Sequence, residues 1–207
     1  MILVGQYDSP YVRRVAVALL TLGIAYEHDT RSVFGEFDSM RKTNPLGRIP
    51  SLVLNDGEVL IDSAAILDYI DETVGPERAL LPRAGRARRQ ALKRIALATG
   101  AIDKIGSYNY ERLIRPPALR WQSWMDRCLT QALGAVAALE AEPWAEAAPL
   151  DMAAITVGCM LDYMHLTAPD LLPGARYPAL DALWRRLSAR PEFRQTASRT
   201  YNVPRGG

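Results

Sequence analysis

Three short stretches of this chain carry residue types that can do chemistry together: Ser9-Pro10, Asn44-Pro45-Leu46-Gly47-Arg48-Ile49-Pro50 and Asp62-Ser63. Pro50 removes a backbone N–H and constrains the peptide just ahead of an apolar run, Ser51-Leu52-Val53-Leu54, which suits a strand start or edge. The Arg-Ile-Pro-Ser context predicts a cis Ile49–Pro50 peptide, which would turn the Ile49 N–H and C=O into open space. Those two groups can pair with the backbone of an extended peptide. A short distance on, Asp62 offers an acceptor for a cation, while Ser63, at a helix start, offers its hydroxyl and N–H to an anion. An extended peptide with an ammonium and a carboxylate needs that set. Each piece also has a plain structural reading, as a loop with two prolines feeding a hairpin and as a routine helix cap at Ser63.

Positioning these groups requires a βαβ frame, and the upstream sequence supplies one. Met1-Ile2-Leu3-Val4-Gly5 reads as a short buried strand; Ser9-Pro10 then opens a helix whose apolar positions Val12, Val15, Ala16, Leu19 and Leu20 follow a helical period. Gly23 ends that helix, and Ile24-Ala25-Tyr26-Glu27-His28 makes a second strand too distant for a hairpin, hence parallel to the first. Residues 31 to 43 read as one irregular helix around Phe34, Phe37 and Met40. Strands at 51 to 54 and 59 to 61 flank an Asn55-Asp56-Gly57 turn, and a helix follows with Ile66, Leu67, Ile70 and Val74 on one face. The order β-α-β-α-β-β-α is that of thioredoxin-like domains. Residues 86 to 115, 117 to 139, 151 to 166 and 178 to 189 all read helical, so the second half is expected to be all-α.

Ser9-Pro10-Tyr11-Val12-Arg13, the Asn44 to Pro50 stretch and Asp62-Ser63 together resemble the glutathione transferase superfamily, in its serine-type or bacterial branches. The resemblance continues through Gly75-Pro76 and Leu80-Leu81-Pro82, similar to the family's interdomain linker. Leu150-Asp151-Met152-Ala153-Ala154-Ile155 is similar to its helix-start motif, and Tyr177-Pro178-Ala179-Leu180 with Arg190-Pro191-Glu192-Phe193 to its final helix and exit. It implies an α/β thioredoxin-like glutathione-binding domain over residues 1–80 and an all-α helical domain over 81–207 that contributes the second-substrate pocket. The family's helix-start motif carries an acidic residue where this chain has Ala154, so Asp151 is expected to cap alone.

What the resemblance implies for the site is specific. Glutathione would lie extended along Arg48, Ile49 and Pro50, anchored at Asp62 and Ser63, with Ser9 activating its thiol and Tyr7 as the alternative donor. Lowering a thiol pKa by two units takes roughly 2.7 kcal/mol of preferential thiolate stabilisation. A helix N-terminus contributes about 0.3–2 kcal/mol and one hydrogen bond to a charged acceptor about 1.5–3 kcal/mol, which together suffice at Ser9. The second substrate, a small hydrophobic electrophile, would pack against Tyr108, Tyr110 and Trp121. A homodimer is implied, with Asp103 as the candidate acidic residue that one subunit brings to the γ-glutamyl ammonium held by the other. Serine and not cysteine at position 9 argues against mixed-disulfide thiol transfer and leaves conjugation, peroxide reduction or isomerisation open. The alternative is a non-catalytic glutathione transferase-like binding or protein-interaction protein.

The composition fits without deciding. The chain has 207 residues, 49% of them hydrophobic, and a net charge of +2. Residues 1–80 hold 7 Lys and Arg against 12 Asp and Glu, whereas 81–207 hold 18 against 11. The first apolar run is four residues without a basic leader, so no signal peptide is expected, and no stretch reaches membrane-spanning length. Cys128 and Cys159 lack a C-x-x-C spacing, and His28 and His165 are too sparse for a cluster; neither a disulfide framework nor a metal site is expected, and a reducing cytoplasm is the natural compartment. The basic run from Arg83 to Arg94 has no interleaved aromatics, which argues against nucleic acid. It reads as a solvated helix face, or as a surface opposing the acidic first half across an interface.

Overall fold

The computed structural model describes residues 1–145, 149–172 and 174–204. The first part builds β1 (Ile2–Val4), α1 (Pro10–Thr21), β2 (Glu27–Asp29), α2 (Phe37–Thr43), β3 (Ser51–Val53), β4 (Val59–Ile61) and α3 (Ser63–Val74). The strands form one sheet in the order β2-β1-β3-β4. β1 runs parallel to β2, and β3 is antiparallel to both β1 and β4. Leu3 and Leu52 face each other across the β1–β3 pair and are fully buried. This is a thioredoxin-like domain.

The second part is helical: α4 (Gly85–Leu113), α5 (Gln122–Glu140), α6 (Met152–Thr167), α7 (Pro178–Ser188) and α8 (Pro191–Gln195), with 3-10 turns at Pro117–Leu119 and Pro169–Leu171. α6 packs against α1, α4 and α7, which explains why it is apolar nearly all round. Asp151 caps it through an Oδ1 that accepts the Ala154 N–H at 2.7 Å, with no reciprocal acidic partner. α1 is likewise covered on two sides, by α3 and by α6, and its arginines are buried with its aliphatics. Arg13 pairs with Asp162 of α6 at 2.5 Å and also donates to Thr196 Oγ1 and the Phe193 carbonyl. One guanidinium therefore ties α1, α6 and the C-terminal segment together.

Several boundaries differ from the sequence expectation. The second strand is only Glu27–Asp29, because the Ile24 N–H is spent on the Leu19 carbonyl in closing α1. Of residues 31 to 43, only Phe37–Thr43 form an α-helix; the preceding turn is held by Ser32, whose N–H donates to Glu36 Oε2 and whose Oγ accepts the Phe34 N–H. The expected helix at 117 to 139 is broken after the Pro116-Pro117 pair into a 3-10 turn and a helix starting at Gln122. Within the basic run, Lys93 and Arg94 pair with Glu142 and Arg88 donates to the Pro82 carbonyl, so these contacts stay clear of the sheet domain. Among the described residues, no helix is long and apolar enough to cross a membrane, and no group of three His, Cys, Asp or Glu could hold a metal ion.

Candidate active site

A cleft of about 740 Å³ opens between the sheet domain and the helices. Its walls come from the β1–α1 loop (Gln6, Asp8, Ser9), the Gly47-Arg48-Ile49 loop, one face of α4 and the C-terminal residues Tyr201, Asn202 and Val203. Ser9 is the N-cap of α1: its Oγ accepts the Val12 N–H at a long 3.4 Å, which leaves the hydroxyl proton free to donate and places the group at the positive end of the helix.

The Gly47–Ile49 wall is shaped by Asn44, which is buried and donates through Nδ2 to the Arg48 carbonyl at 2.8 Å while its Oδ1 accepts the Leu46 N–H. Gly47 sits at φ +61, with the Phe37 ring where a β-carbon would be. The Ile49–Pro50 peptide is cis, Pro50 is buried, and no backbone group among the described residues pairs with the Ile49 N–H or C=O. Arg48 is exposed at the rim.

Asp62 and Ser63 lie outside this cleft, at the start of α3. Asp62 is exposed at φ 69 and caps the helix through Oδ1, which accepts the Ala64 N–H at 2.7 Å. Ser63 is 3% exposed, and its Oγ accepts the Nε–H of Arg14 at 3.0 Å. Arg14 was not singled out from the sequence. The available signal was a pair of arginines on a helix whose remaining positions are apolar. With one Ser63 lone pair taken by a buried cation, the Ser63 hydroxyl proton is directed to another acceptor.

Asp103 lines its own chain's cleft, and its carboxylate accepts the Tyr11 hydroxyl at 2.5 Å. Burial, reinforced by that carboxylate, pushes the Tyr11 phenol well above its ordinary pKa. Asp8, also unflagged by the sequence, is buried with Oδ2 accepting the Asn202 N–H at 2.8 Å, and burial pushes its carboxyl pKa up. Tyr110 lines the cleft and meets the Phe34 ring edge-on at 5.9 Å.

Tyr7, Tyr108 and Trp121 do not line it. The Tyr7 hydroxyl is engaged with Tyr26 at 2.7 Å and its ring stacks on His28. Tyr108 lies under the Arg112 guanidinium. The α4 face in the cleft is Ile102, Asp103, Gly106, Ser107 and Tyr110, and position 108 is half a turn away from it. Trp121, expected as a cleft wall, is 65% exposed beside Trp124 at the start of α5, outside the cleft, because the Pro-Pro break carries it outward.

The arrangement is a thioredoxin-like sheet and a helical domain with an open cleft between them, and with a helix N-terminus and an unpaired peptide edge in its wall. Residues 3–78 match the family model of the glutathione S-transferase N-terminal domain. A glutathione transferase family member from Pseudomonas fluorescens Pf-5, crystallised with bound glutathione, is 39% identical with a TM-score of 0.86, over 95% of this chain and 98% of that one. Another structure from the same strain holds S-(propanoic acid)-glutathione. The uncharacterised GST-like protein YibF of Escherichia coli is 29% identical over 95% of this chain and 98% of its own length. A probable maleylacetoacetate isomerase of Drosophila melanogaster is 29% identical over 94% and 80%. The chain belongs to the glutathione transferase superfamily.

Proposed function

We propose that this chain is a glutathione transferase that holds reduced glutathione extended along Ile49 and lowers the pKa of its thiol at Ser9, for attack on an electrophile bound against the α4 face. The observation that carries this reading is that Ser9, with a free hydroxyl proton at a helix N-terminus, opens into the same cleft as the unpaired Ile49 peptide edge. Tyr7 has its hydroxyl engaged with Tyr26, which favours Ser9 as the thiolate donor. Asp62 takes the ammonium and Ser63 the carboxylate of the γ-glutamyl end, with Arg14 behind Ser63 orienting its hydroxyl outward. The sulfur-substituted glutathione held by the Pseudomonas relative supports a cleft that extends beyond the thiol. A homodimer belongs to this reading, and sedimentation as a monomer would remove it.

Calorimetry with reduced glutathione and ultraviolet titration of the bound thiolate test the proposal. Ser9→Ala should leave affinity nearly intact and raise the bound thiol's pKa by about one to two units, the equivalent of one charge-assisted hydrogen bond of about 1.5–3 kcal/mol. An unchanged pKa in Ser9→Ala with a raised one in Tyr7→Phe would transfer the role to Tyr7. No glutathione binding at all would defeat the transferase reading.

A further inference from the structure

The electrophile end of the cleft is richer in phenols than a site for an apolar halide needs: Tyr110, Tyr163 and Tyr201 all line it. Two of these belong to a directed chain of hydrogen bonds. Arg112, at the end of α4, donates through Nη2 to the Thr167 carbonyl at 2.9 Å and to Asn109 Oδ1 at 3.3 Å. A guanidinium only donates, so Asn109 presents its oxygen to Arg112 and its NH₂ to the other side. There Nδ2 donates to Tyr163 Oη at 3.3 Å. Asn109 is fully buried and Tyr163 nearly so. Among the described residues the one acceptor that a hydrogen bond links to the Tyr163 hydroxyl is Tyr201 Oη, at 3.1 Å. Tyr163 therefore donates to Tyr201, and the Tyr201 proton has no acceptor among the described residues. A chain headed by a cation is polarised along its length, which strengthens its last donor. That donor ends in the cleft.

Resting on the transferase reading above, we propose that Tyr201 selects the electrophile, donating its hydroxyl to a carbonyl or carboxylate oxygen conjugated to the alkene carbon that sulfur attacks. The thiolate forms a bond to the β-carbon, and the alkene π pair shifts so that negative charge appears on the carbonyl oxygen, where the Tyr201 O–H meets it. The α-carbon then takes a proton from water in the open cleft, replacing the one the thiol released on activation; the net reaction adds S–H across C=C. A donor aimed where charge develops stabilises the transition state more than the bound substrate. Asp8 is tethered to the same C-terminal segment through the Asn202 N–H; burial above all, with a smaller contribution from the Asp8 charge, opposes deprotonation of Tyr110, Tyr163 and Tyr201, so the phenols stay donors.

The test compares wild type, Tyr201→Phe and Tyr163→Phe with glutathione and three electrophiles: methyl vinyl ketone, acrylate and benzyl chloride, the last lacking an oxygen acceptor. Tyr201→Phe should lower kcat/KM for methyl vinyl ketone by roughly 10- to 100-fold, the range of a lost donor to a developing oxyanion. It should leave benzyl chloride turnover within about twofold and glutathione affinity unchanged by calorimetry. Tyr163→Phe, which frees the Tyr201 oxygen but keeps its proton, should show the same selectivity at smaller amplitude. Loss with acrylate as well as the ketone extends the acceptor to carboxylates; loss with the ketone alone confines it to neutral carbonyls. Equal losses on all three electrophiles, no loss on any, or weakened glutathione binding in Tyr201→Phe would overturn the inference while leaving the transferase reading in place. A wild type that binds no glutathione or turns over none of the three would overturn both.

Discussion

Residue by residue, the cleft spends stability to hold polar groups where a ligand can use them, and Asp8 is the plainest case. Burial, offset in part by the N–H groups of Asn202 and Ser9, raises its carboxyl pKa above the unfolded value. Over that window the folded chain keeps a proton that the unfolded chain has lost, so the group favours folding in acid and opposes it increasingly as pH rises through the raised value. Asp8→Asn keeps an acceptor for the Asn202 N–H while removing the charge. Its Tm should exceed wild type at pH 7 by about 2–4 °C, the response of a chain this size to about 1 kcal/mol. Near pH 3, where the Asp8 carboxyl is largely protonated in the folded and the unfolded chain alike, the difference should shrink toward zero. Scanning calorimetry at the two pH values decides it, and an equal shift at both would rule out the charge as the cause.

Among the elements, α6 carries most of the organisation. Its start is held by the Asp151 cap and by the Met152 N–H donating to the Leu80 carbonyl at 2.9 Å. Leu80 and Leu81 in turn donate their N–H groups to the Asp71 carboxylate of α3. The segment leaving α3 is thereby pinned to the start of α6. Asp151→Ala removes the cap without a reciprocal partner to compensate and should cost about 1 kcal/mol, within a range of roughly 0.5–2 kcal/mol. Asp151→Ser should recover most of it in urea unfolding; a silent Asp151→Ala would mean that packing alone holds the helix start. Farther along α6, Gly158 lets the Phe193 ring approach to where a β-carbon would be only 2.7 Å away. That contact brings α8, and the chain beyond it, back toward the cleft.

For the molecule as a whole, the two halves are joined by a buried ion pair rather than by the charge imbalance between them. Arg13 and Asp162 are both largely shielded from water, and Asp162 also accepts the Trp184 indole N–H at 2.7 Å. Removing one partner leaves the other charge buried, so Asp162→Ala should destabilise the chain by about 3–5 kcal/mol. Replacing both by apolar residues, as in Arg13→Met with Asp162→Leu, should recover part of that loss. Chemical denaturation of the three variants measures it; a double variant no better than Asp162→Ala would show that the other Arg13 bonds, to Thr196 and Phe193, carry the stability. Because Arg13 holds the C-terminal segment as well as α6, the single variant should also loosen the Tyr201 wall of the cleft.

What the sequence alone determined was whatever is written in local chemistry. The strand-helix alternation of the first part, the helical second part, the Asp151 cap and the helix starts at Ser9-Pro10 and Asp62-Ser63 follow from propensity, period and turn residues within a few positions of each, whereas the roles expected of Ser9, Ile49, Asp62 and Ser63 toward glutathione came from the family resemblance. Contacts between distant segments were not legible. Tyr110 and Tyr108 are equally aromatic and two residues apart, and only the packing of α4 against its neighbours settles that the first faces the cleft while the second lies under Arg112. Trp121 follows a proline pair whose effect on the chain direction no period encodes. Tyr201 reaches Tyr163, and Asn202 reaches Asp8, because Arg13, Gly158 and Phe193 fold the C-terminus back over α1. Their partners lie up to 194 positions away in sequence, and proximity across that distance exists only once the buried surfaces have closed on one another.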